Sequence, residues 1–122
     1  MYILGDIGNT ETKIFIVSSN YKIIKKVNFT SKDIKIFKIN KFFDKLKLDY
    51  KKIKKILFCS VVPKSFELIK KYLLKKTRIK CYEVKNLNLK SLINIKVNYK
   101  QVGSDRITNA ISLLDKKNNF II

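Results

Sequence analysis

The chain has 122 residues, of which 46% are hydrophobic and 30% are charged, with a formal net charge of +19. A hydrophobic fraction of this size is enough to bury a core, which excludes a chain that is disordered throughout. No stretch approaches the roughly 20 apolar residues of a membrane span and no signal-peptide pattern opens the sequence, so we expect a cytoplasmic protein.

The excess of positive charge comes almost entirely from lysine. Lysine supplies 26 of the 28 basic residues, and Arg78 and Arg106 are the two arginines. Surfaces that clamp phosphates or read bases favour arginine, because its planar guanidinium forms paired hydrogen bonds. We therefore interpret the charge as solvated lysine faces and expect neither nucleic acid nor a membrane as a partner. A polyanion-binding surface is the alternative interpretation.

The cysteine pattern does not indicate a metal site. Cys59 and Cys81 are too far apart for a CxxC pair, and the chain has no histidine to complete a zinc site. We expect both cysteines to be reduced, buried thiols.

The first 30 residues predict a three-stranded antiparallel meander. Short runs rich in β-branched and aromatic residues alternate there with turns. The strands are expected at residues 2–6, 13–18 and 21–29, with one turn after Asp6 and another at Ser19 and Asn20.

The remainder of the chain predicts helices that alternate with strands. Apolar spacing of three and four residues predicts a helix from about Ile39, a second helix after Pro63 that Ser65 caps, and a third over residues 103–115. Apolar runs predict strands over 54–62 and 78–84, an irregular stretch follows at 85–99, and residues 120–122 begin a further strand. The helical positions expected to face the core are Ile39, Phe42, Phe43, Leu46, Phe66, Leu68, Ile69, Tyr72, Leu73, Ile107, Ala110, Ile111 and Leu114.

This order of elements is typical of a ribonuclease-H-like α/β domain. Three hairpin strands followed by alternating helices and parallel strands make up the half-unit of the actin, sugar-kinase and heat-shock ATPase group. Ligands of such open sheets bind at the strand ends, where the loops diverge. We expect residues 1–122 to form one nucleotide- and substrate-binding domain of this class, with the sheet truncated at its C-terminal end.

The first candidate site is the turn within DIGNTETK, residues 6–13. A hairpin tip with Gly8 can present backbone N–H groups to an anion, because glycine permits a positive φ and a close approach of phosphate. Asn9 and Thr10 can add donors, and Asp6 can hold Mg²⁺ directly or through water. The alternative is an ordinary hairpin in which Gly8 and Asn9 only turn the chain.

The second candidate site is the stretch VGSDRITNA, residues 102–110. A carboxylate and a guanidinium at a helix start can serve one small substrate: Asp105 can accept the proton of an attacking hydroxyl, and Arg106 can pair with a carboxylate or a phosphoryl group. The alternative is helix-start chemistry alone, with Ser104 as the cap and Asp105 favourable to the helix dipole. Arg106 favours the functional interpretation, because the chain otherwise uses lysine almost throughout.

Three motifs together resemble a known family. DIGNTETK, the SVVP of residues 60–63 and VGSDRITNAIS of residues 102–112 are similar to the patterns DxGNTxxK, SVVP and GADRxxNA of type III pantothenate kinases. They occur in the same order, at plausible spacing, and cover most of the chain. Each motif is weakly specific alone, and the set is specific to the N-terminal half of that family.

The resemblance implies ATP-dependent phosphorylation of pantothenate to 4'-phosphopantothenate, the first step of coenzyme A biosynthesis. It implies Asp105 as the catalytic base, Gly103, Ser104, Asp105 and Arg106 as pantothenate ligands, and Asp6 as the magnesium ligand. It also implies a homodimer that uses a monovalent cation, either potassium or ammonium. The nucleotide phosphates would be bound by Asp6, Ile7, Gly8, Asn9, Thr10, Glu11, Thr12 and Lys13.

The sequence departs from the family pattern in places. Ser104 stands where alanine is usual, and Lys96, Asn98 and Tyr99 occupy the positions of a common tyrosine and asparagine-proline pair, so Tyr99 is not assigned to the substrate-contacting tyrosine. Family members also continue into a second domain, whose first strand residues 120–122 would begin. We therefore expect a chain of residues 1–122 alone to be inactive or nearly so.

Two other functions fit parts of the pattern. Another kinase or phosphatase of the same superfamily would share the Asp6 turn, but would have no reason to carry SVVP and GSDR. A nonenzymatic binding or regulatory protein could retain the fold and use its basic surface.

Overall fold

A computed structural model of the chain describes residues 1–114, except for the side chains of residues 36 and 37. The strand predicted at residues 120–122 and the last residue of the third predicted helix lie outside this part. The described elements, in chain order, are β1 (Tyr2–Ile7), β2 (Glu11–Val17), β3 (Ile23–Thr30), α1 (Ile36–Leu46), β4 (Lys55–Ser60), α2 (Pro63–Thr77), β5 (Cys81–Glu83) and α3 (Ser104–Ser112).

The strands form one mixed sheet with the order β3-β2-β1-β4-β5. β1, β2 and β3 are antiparallel neighbours, and β4 lies parallel to β1 and to β5. A meander followed by parallel strands is the predicted architecture, so the mixed α/β fold is confirmed. It is consistent with a ribonuclease-H-like fold in which the sheet is not closed.

One face of the sheet carries the main core. Ile3, Ile7, Ile14 and Ile56 are fully buried there, because alternate residues of each strand point to the same side. Helices α1 and α2 cover this face and pack on each other. Their buried residues include Phe43, Leu46, Ile69 and Leu73 from the predicted apolar stripes.

Among the described residues, the opposite face of the sheet is covered at one end only. α3 packs there against β4 and against the 3₁₀ turn Val84–Asn86 that follows β5. A smaller cluster of Cys59, Val84, Leu89 and Ile107 fills this contact. Further along the same face, Leu4 and Asp6 of β1 are exposed, which leaves the centre of the sheet open beside α3.

The predicted cap of the second helix is wrong. α2 begins at Pro63 with Val62 as its N-cap, and Ser65 is a buried residue inside the helix. Proline suits a first helical position, because its φ is already helical and the N–H it lacks would have no intrahelical partner. The Ser60 hydroxyl instead accepts a hydrogen bond from the Val62 N–H at 3.1 Å.

Several predicted bounds also differ. α1 begins three residues earlier than predicted, β2 begins at Glu11, and β5 spans only Cys81–Glu83 instead of residues 78–84. Arg78 has a φ of 60°, in the left-handed region, and ends α2, so it cannot begin a strand. After β5, the 3₁₀ turn Val84–Asn86 begins the irregular stretch and contacts α3.

Candidate active site

The tip of the β1–β2 hairpin is a tight turn closed by a backbone hydrogen bond. The Gly8 N–H donates to the Glu11 carbonyl at 3.0 Å, and Asn9 and Thr10 form the exposed tip. No glycine among residues 1–114 has a positive φ, so that part of the expectation for Gly8 is wrong. A Cβ at Gly8 would instead lie 3.1 Å from the Glu11 carbonyl oxygen. Glycine is favoured here because the chain approaches itself closely.

Ser31 forms hydrogen bonds with this hairpin tip. Its N–H donates to the Thr10 carbonyl at 2.8 Å, and its hydroxyl donates to the Gly8 carbonyl at 2.6 Å. The Thr12 hydroxyl, which is fully buried, lies 2.8 Å from the Ser31 hydroxyl. Thr12 therefore supports the tip, as does the buried side chain of Ile7, and neither side chain faces solvent.

The charged residues of the hairpin lie toward the open face. Asp6 and Lys13 are directly opposite each other in the β1–β2 register, so their side chains project from the same side of the sheet. The Lys13 ammonium forms an ion pair with the Glu11 carboxylate at 3.2 Å. These partly exposed groups make the tip a mixed-charge surface.

The first turn of α3 carries the second predicted site. Gly103 is the N-cap and Ser104 is the first helical residue, so Ser104 is not the cap that the sequence suggested. Ser104 is buried, whereas Asp105 and Arg106 are exposed. A Cβ at position 103 would overlap Oδ1 of Asp105, so the glycine leaves space for that carboxylate.

Asp6 and Asp105 line one cleft of about 460 Å³ on the open face. Cys59 lines the same cleft. It is the β4 residue paired with Asp6 in the parallel register, and its thiol donates to Asp6 Oδ1 at 3.7 Å. The two acids come from opposite ends of the described chain and meet because β1 and β4 are neighbours and α3 packs on β4. The remaining lining residues are Leu4, Gly5, Phe15, Thr108 and Asn109.

Cys59 is an ionisable residue of this cleft that the sequence analysis did not assign to a site. The pKa of its thiol is raised to about 11, chiefly by burial; the charges of Asp6 and Asp105 contribute to the rise, and hydrogen bonds with the Thr108 and Ser104 hydroxyls oppose it. The thiol therefore stays neutral at physiological pH and does not add a third charge between the two acids. The sequence signal was its position one residue before SVVP, at the end of a buried strand.

The other predicted substrate residues are distributed around this cleft. Gly103 and Ser104 line a larger neighbouring groove of about 780 Å³, which Val61 and Pro63 of SVVP also line. Arg106 is exposed and lines neither of these two cavities. The GSDR segment thus contributes lining residues to both cavities.

The described residues do not form a ready-made metal centre. Within residues 1–114, no group of three or more histidine, cysteine, aspartate or glutamate side chains is arranged to hold a metal ion. In the same part of the chain, no helix combines the length and apolarity that crossing a bilayer requires.

Comparison with known proteins agrees with the motifs. The family model described as type III pantothenate kinase matches residues 2–122. A type III pantothenate kinase of Pelagibacter ubique (strain HTCC1062) is 56% identical over 122 residues, which are 100% of this chain and 49% of that protein. A type III pantothenate kinase of Ehrlichia canis (strain Jake) is 34% identical over 92% of this chain and 44% of its own length. The chain spans about half the length of these curated relatives.

Proposed function

Because the chain belongs to the type III pantothenate kinase family, we propose that it supplies one wall of the active site of an ATP-dependent pantothenate kinase. The product is 4'-phosphopantothenate, at the start of coenzyme A biosynthesis. In this proposal residues 1–122 are the N-terminal nucleotide- and substrate-binding domain, and a second domain completes the cleft.

The observation that carries the proposal is the shared cleft of Asp6 and Asp105. Phosphoryl transfer depends on positioning and on charge stabilisation rather than on covalent chemistry by the protein. It needs one carboxylate on the side of the phosphates and another within reach of the attacking hydroxyl. The two acids supply these on one exposed surface.

The hairpin tip is proposed to bind the nucleotide phosphates. The exposed side chains of Asn9 and Thr10 offer polar contacts, and the Lys13 ammonium offers a positive charge beside them. Gly8 and Glu11 keep the turn tight through their backbone hydrogen bond. The buried side chains of the same segment, Ile7 and Thr12, contribute by holding the tip in place.

Asp6 is proposed as the magnesium ligand. Mg²⁺ is usually held by one or two carboxylates together with water and substrate phosphates, so a single exposed aspartate fits this donor set. When bound, the ion neutralises charge that develops on the phosphate oxygens. The monovalent cation, potassium or ammonium, comes into this proposal from the family resemblance alone.

Asp105 is proposed as the general base. It accepts the proton of the primary hydroxyl of pantothenate as that oxygen bonds to the γ-phosphorus, while the bond from phosphorus to the bridging oxygen breaks and ADP leaves. Gly103, Ser104 and Arg106 are proposed to hold pantothenate, with the guanidinium directed to its carboxylate. Gly103 supports this role for Asp105, because it leaves space for the carboxylate.

The assembly and the location are part of the same proposal. We expect a homodimer in the cytoplasm, with no nucleic acid bound despite the net charge of +19. Two free cysteines, both buried, support a reducing compartment.

The test is the Asp105→Asn variant of the full-length protein that carries this chain, assayed with ATP, magnesium and pantothenate. Turnover is expected to fall by roughly 100- to 10,000-fold, because asparagine cannot accept the proton. Asp49→Asn is the matched control: Asp49 caps a 3₁₀ turn through the Lys51 N–H, an interaction that asparagine can also make, and turnover should not change. Unchanged turnover of the Asp105 variant would remove that residue as the base.

A further inference from the structure

A buried contact joins β5 to the first turn of α3. Ser104 is 1% exposed, and its hydroxyl donates to Oε1 of Glu83, the last residue of β5, which is 9% exposed. Within residues 1–114, β5 is the edge strand of the sheet and pairs with β4 alone. The contact therefore links the edge of the sheet directly to the helix that carries Asp105.

The burial of the Glu83 carboxylate depends on this position of the helix. A buried carboxylate is costly unless hydrogen bonds or opposite charge compensate for the lost water. None of the four ion pairs among residues 1–114 includes Glu83. The hydrogen bond to this carboxylate comes from the Ser104 hydroxyl, and Ser104 is the first residue of α3, where the N-terminal N–H groups carry partial positive charge. The carboxylate is best satisfied when the helix start lies against it.

The position of the helix start determines the direction of Asp105. Asp105 follows Ser104 directly, and its carboxylate occupies the space that Gly103 leaves open. The Thr108 hydroxyl donates to the Ser104 carbonyl at 2.9 Å, and Thr108 lines the same cleft as Asp105. A shift of Ser104 would therefore move both of these cleft residues.

We propose that Glu83 and Ser104 form a positioning pair that fixes the first turn of α3 and so directs the Asp105 carboxylate into the cleft. Neither side chain of the pair lines the Asp6–Asp105 cleft, so the contact between them acts on the reaction through Asp105, in addition to the pantothenate contact proposed for Ser104. The inference rests on the proposed function, in which Asp105 is the base. It adds a structural requirement for that role.

The kinetic test uses Glu83→Ala, Ser104→Ala and Glu83→Gln in the full-length protein carrying this chain. Both alanine variants should lower kcat roughly tenfold, because the Asp105 carboxylate would no longer be held in position to accept the proton. KM for ATP should stay unchanged. Glu83→Gln retains an acceptor oxygen for Ser104 and should keep most of the wild-type kcat. The double alanine variant should be no slower than either single variant, because both changes remove the same contact.

A matched control separates positioning from general loss of stability. The Thr77 hydroxyl donates to the Leu73 carbonyl at the end of α2. Thr77→Ala also removes side-chain hydrogen bonds, this one and the one that the hydroxyl accepts from the Ile79 N–H, and it should leave kcat unchanged. If it lowers kcat as much as Ser104→Ala does, or if the Glu83 and Ser104 effects are additive, the positioning pair is disproved.

Amide hydrogen exchange tests the pair without any turnover. In the ligand-free protein, exchange at residues 104–108 should become faster in Glu83→Ala and Ser104→Ala and stay at the wild-type rate in Thr77→Ala. Unchanged exchange in the two alanine variants would contradict the pair. Wild-type protein that does not phosphorylate pantothenate would contradict the proposed function instead, and the exchange result would still decide the inference.

Discussion

Two glycines face side chains of different mobility. A Cβ at Gly5 would overlap the ring of Phe58, which is fully buried in the core beneath α2. A Cβ at Gly103 would overlap only the carboxylate of Asp105, which lies at the surface. Substitution by alanine should therefore affect stability at Gly5 and turnover at Gly103.

We expect Gly103→Ala to lower kcat by roughly 10- to 100-fold with little change in stability, because the exposed Asp105 carboxylate can rotate away from the added methyl group. Gly5→Ala should instead lower the free energy of unfolding by about 1–3 kcal/mol, because the Phe58 ring cannot move freely in a packed core. Steady-state kinetics and urea unfolding of both variants distinguish the two effects. Equal stability losses would contradict this assignment.

At the scale of elements, the β1–β2 hairpin depends on a residue outside it. Ser31 follows β3 and makes three hydrogen-bonding contacts with the hairpin, to Gly8, Thr10 and Thr12. β1 and β2 are held by their neighbours in the sheet, but the tip extends beyond the Ile7–Thr12 pair, so these contacts help to hold it in one conformation. The proposed phosphate-binding segment is thus supported by the first residue of the connection between β3 and α1.

We expect Ser31→Ala to lower the free energy of unfolding by about 1–3 kcal/mol, because the Gly8 carbonyl and the buried Thr12 hydroxyl lose their partner. KM for ATP should rise as well if the tip binds phosphates. Ser112→Ala removes an exposed hydroxyl that donates to the Asn109 carbonyl, and it should change neither quantity appreciably. A Ser31 variant with wild-type stability would show that the tip does not need this support.

At the scale of the whole molecule, the buried Cys81 thiol contributes to the dependence of stability on pH in the alkaline range. Burial raises the pKa of the Cys81 thiol to about 12, while Lys70 lowers it and Glu67 raises it. The folded state therefore favours the protonated thiol. This contribution to stability is fully present below the unfolded value of 9.0 and is lost as the pH rises toward about 12.

The many lysines titrate in the same pH range, so the measurement must compare two proteins. Cys81→Ser has no thiol to ionise and retains the same lysines. The difference in free energy of unfolding, wild type minus variant, should decrease as the pH rises from about 9 to 12, and chemical denaturation at several pH values measures it. A difference that is independent of pH would contradict the raised pKa.

The sequence by itself determined the class of the fold and the family. Hydrophobic periodicity is a local property, so it located the meander, the three helices and the strands that alternate with them. The order DIGNTETK, SVVP and GSDR indicated the family, which the family comparison confirmed. Local patterns could not fix the caps, since Ser65 and Ser104 suit a helix start by chemistry alone but lie inside helices that begin at Pro63 and after Gly103.

The tertiary structure decided which residues share a cleft. Asp6 and Asp105 meet because a parallel crossover places β4 beside β1 and α3 packs against β4. Cys59, Ser31 and Glu83 acquired their contacts in the same way, from residues between 19 and 53 positions away, for which no local pattern exists. Such long-range contacts depend on how the chain packs, and this is why the site could be named from the sequence while its geometry could not.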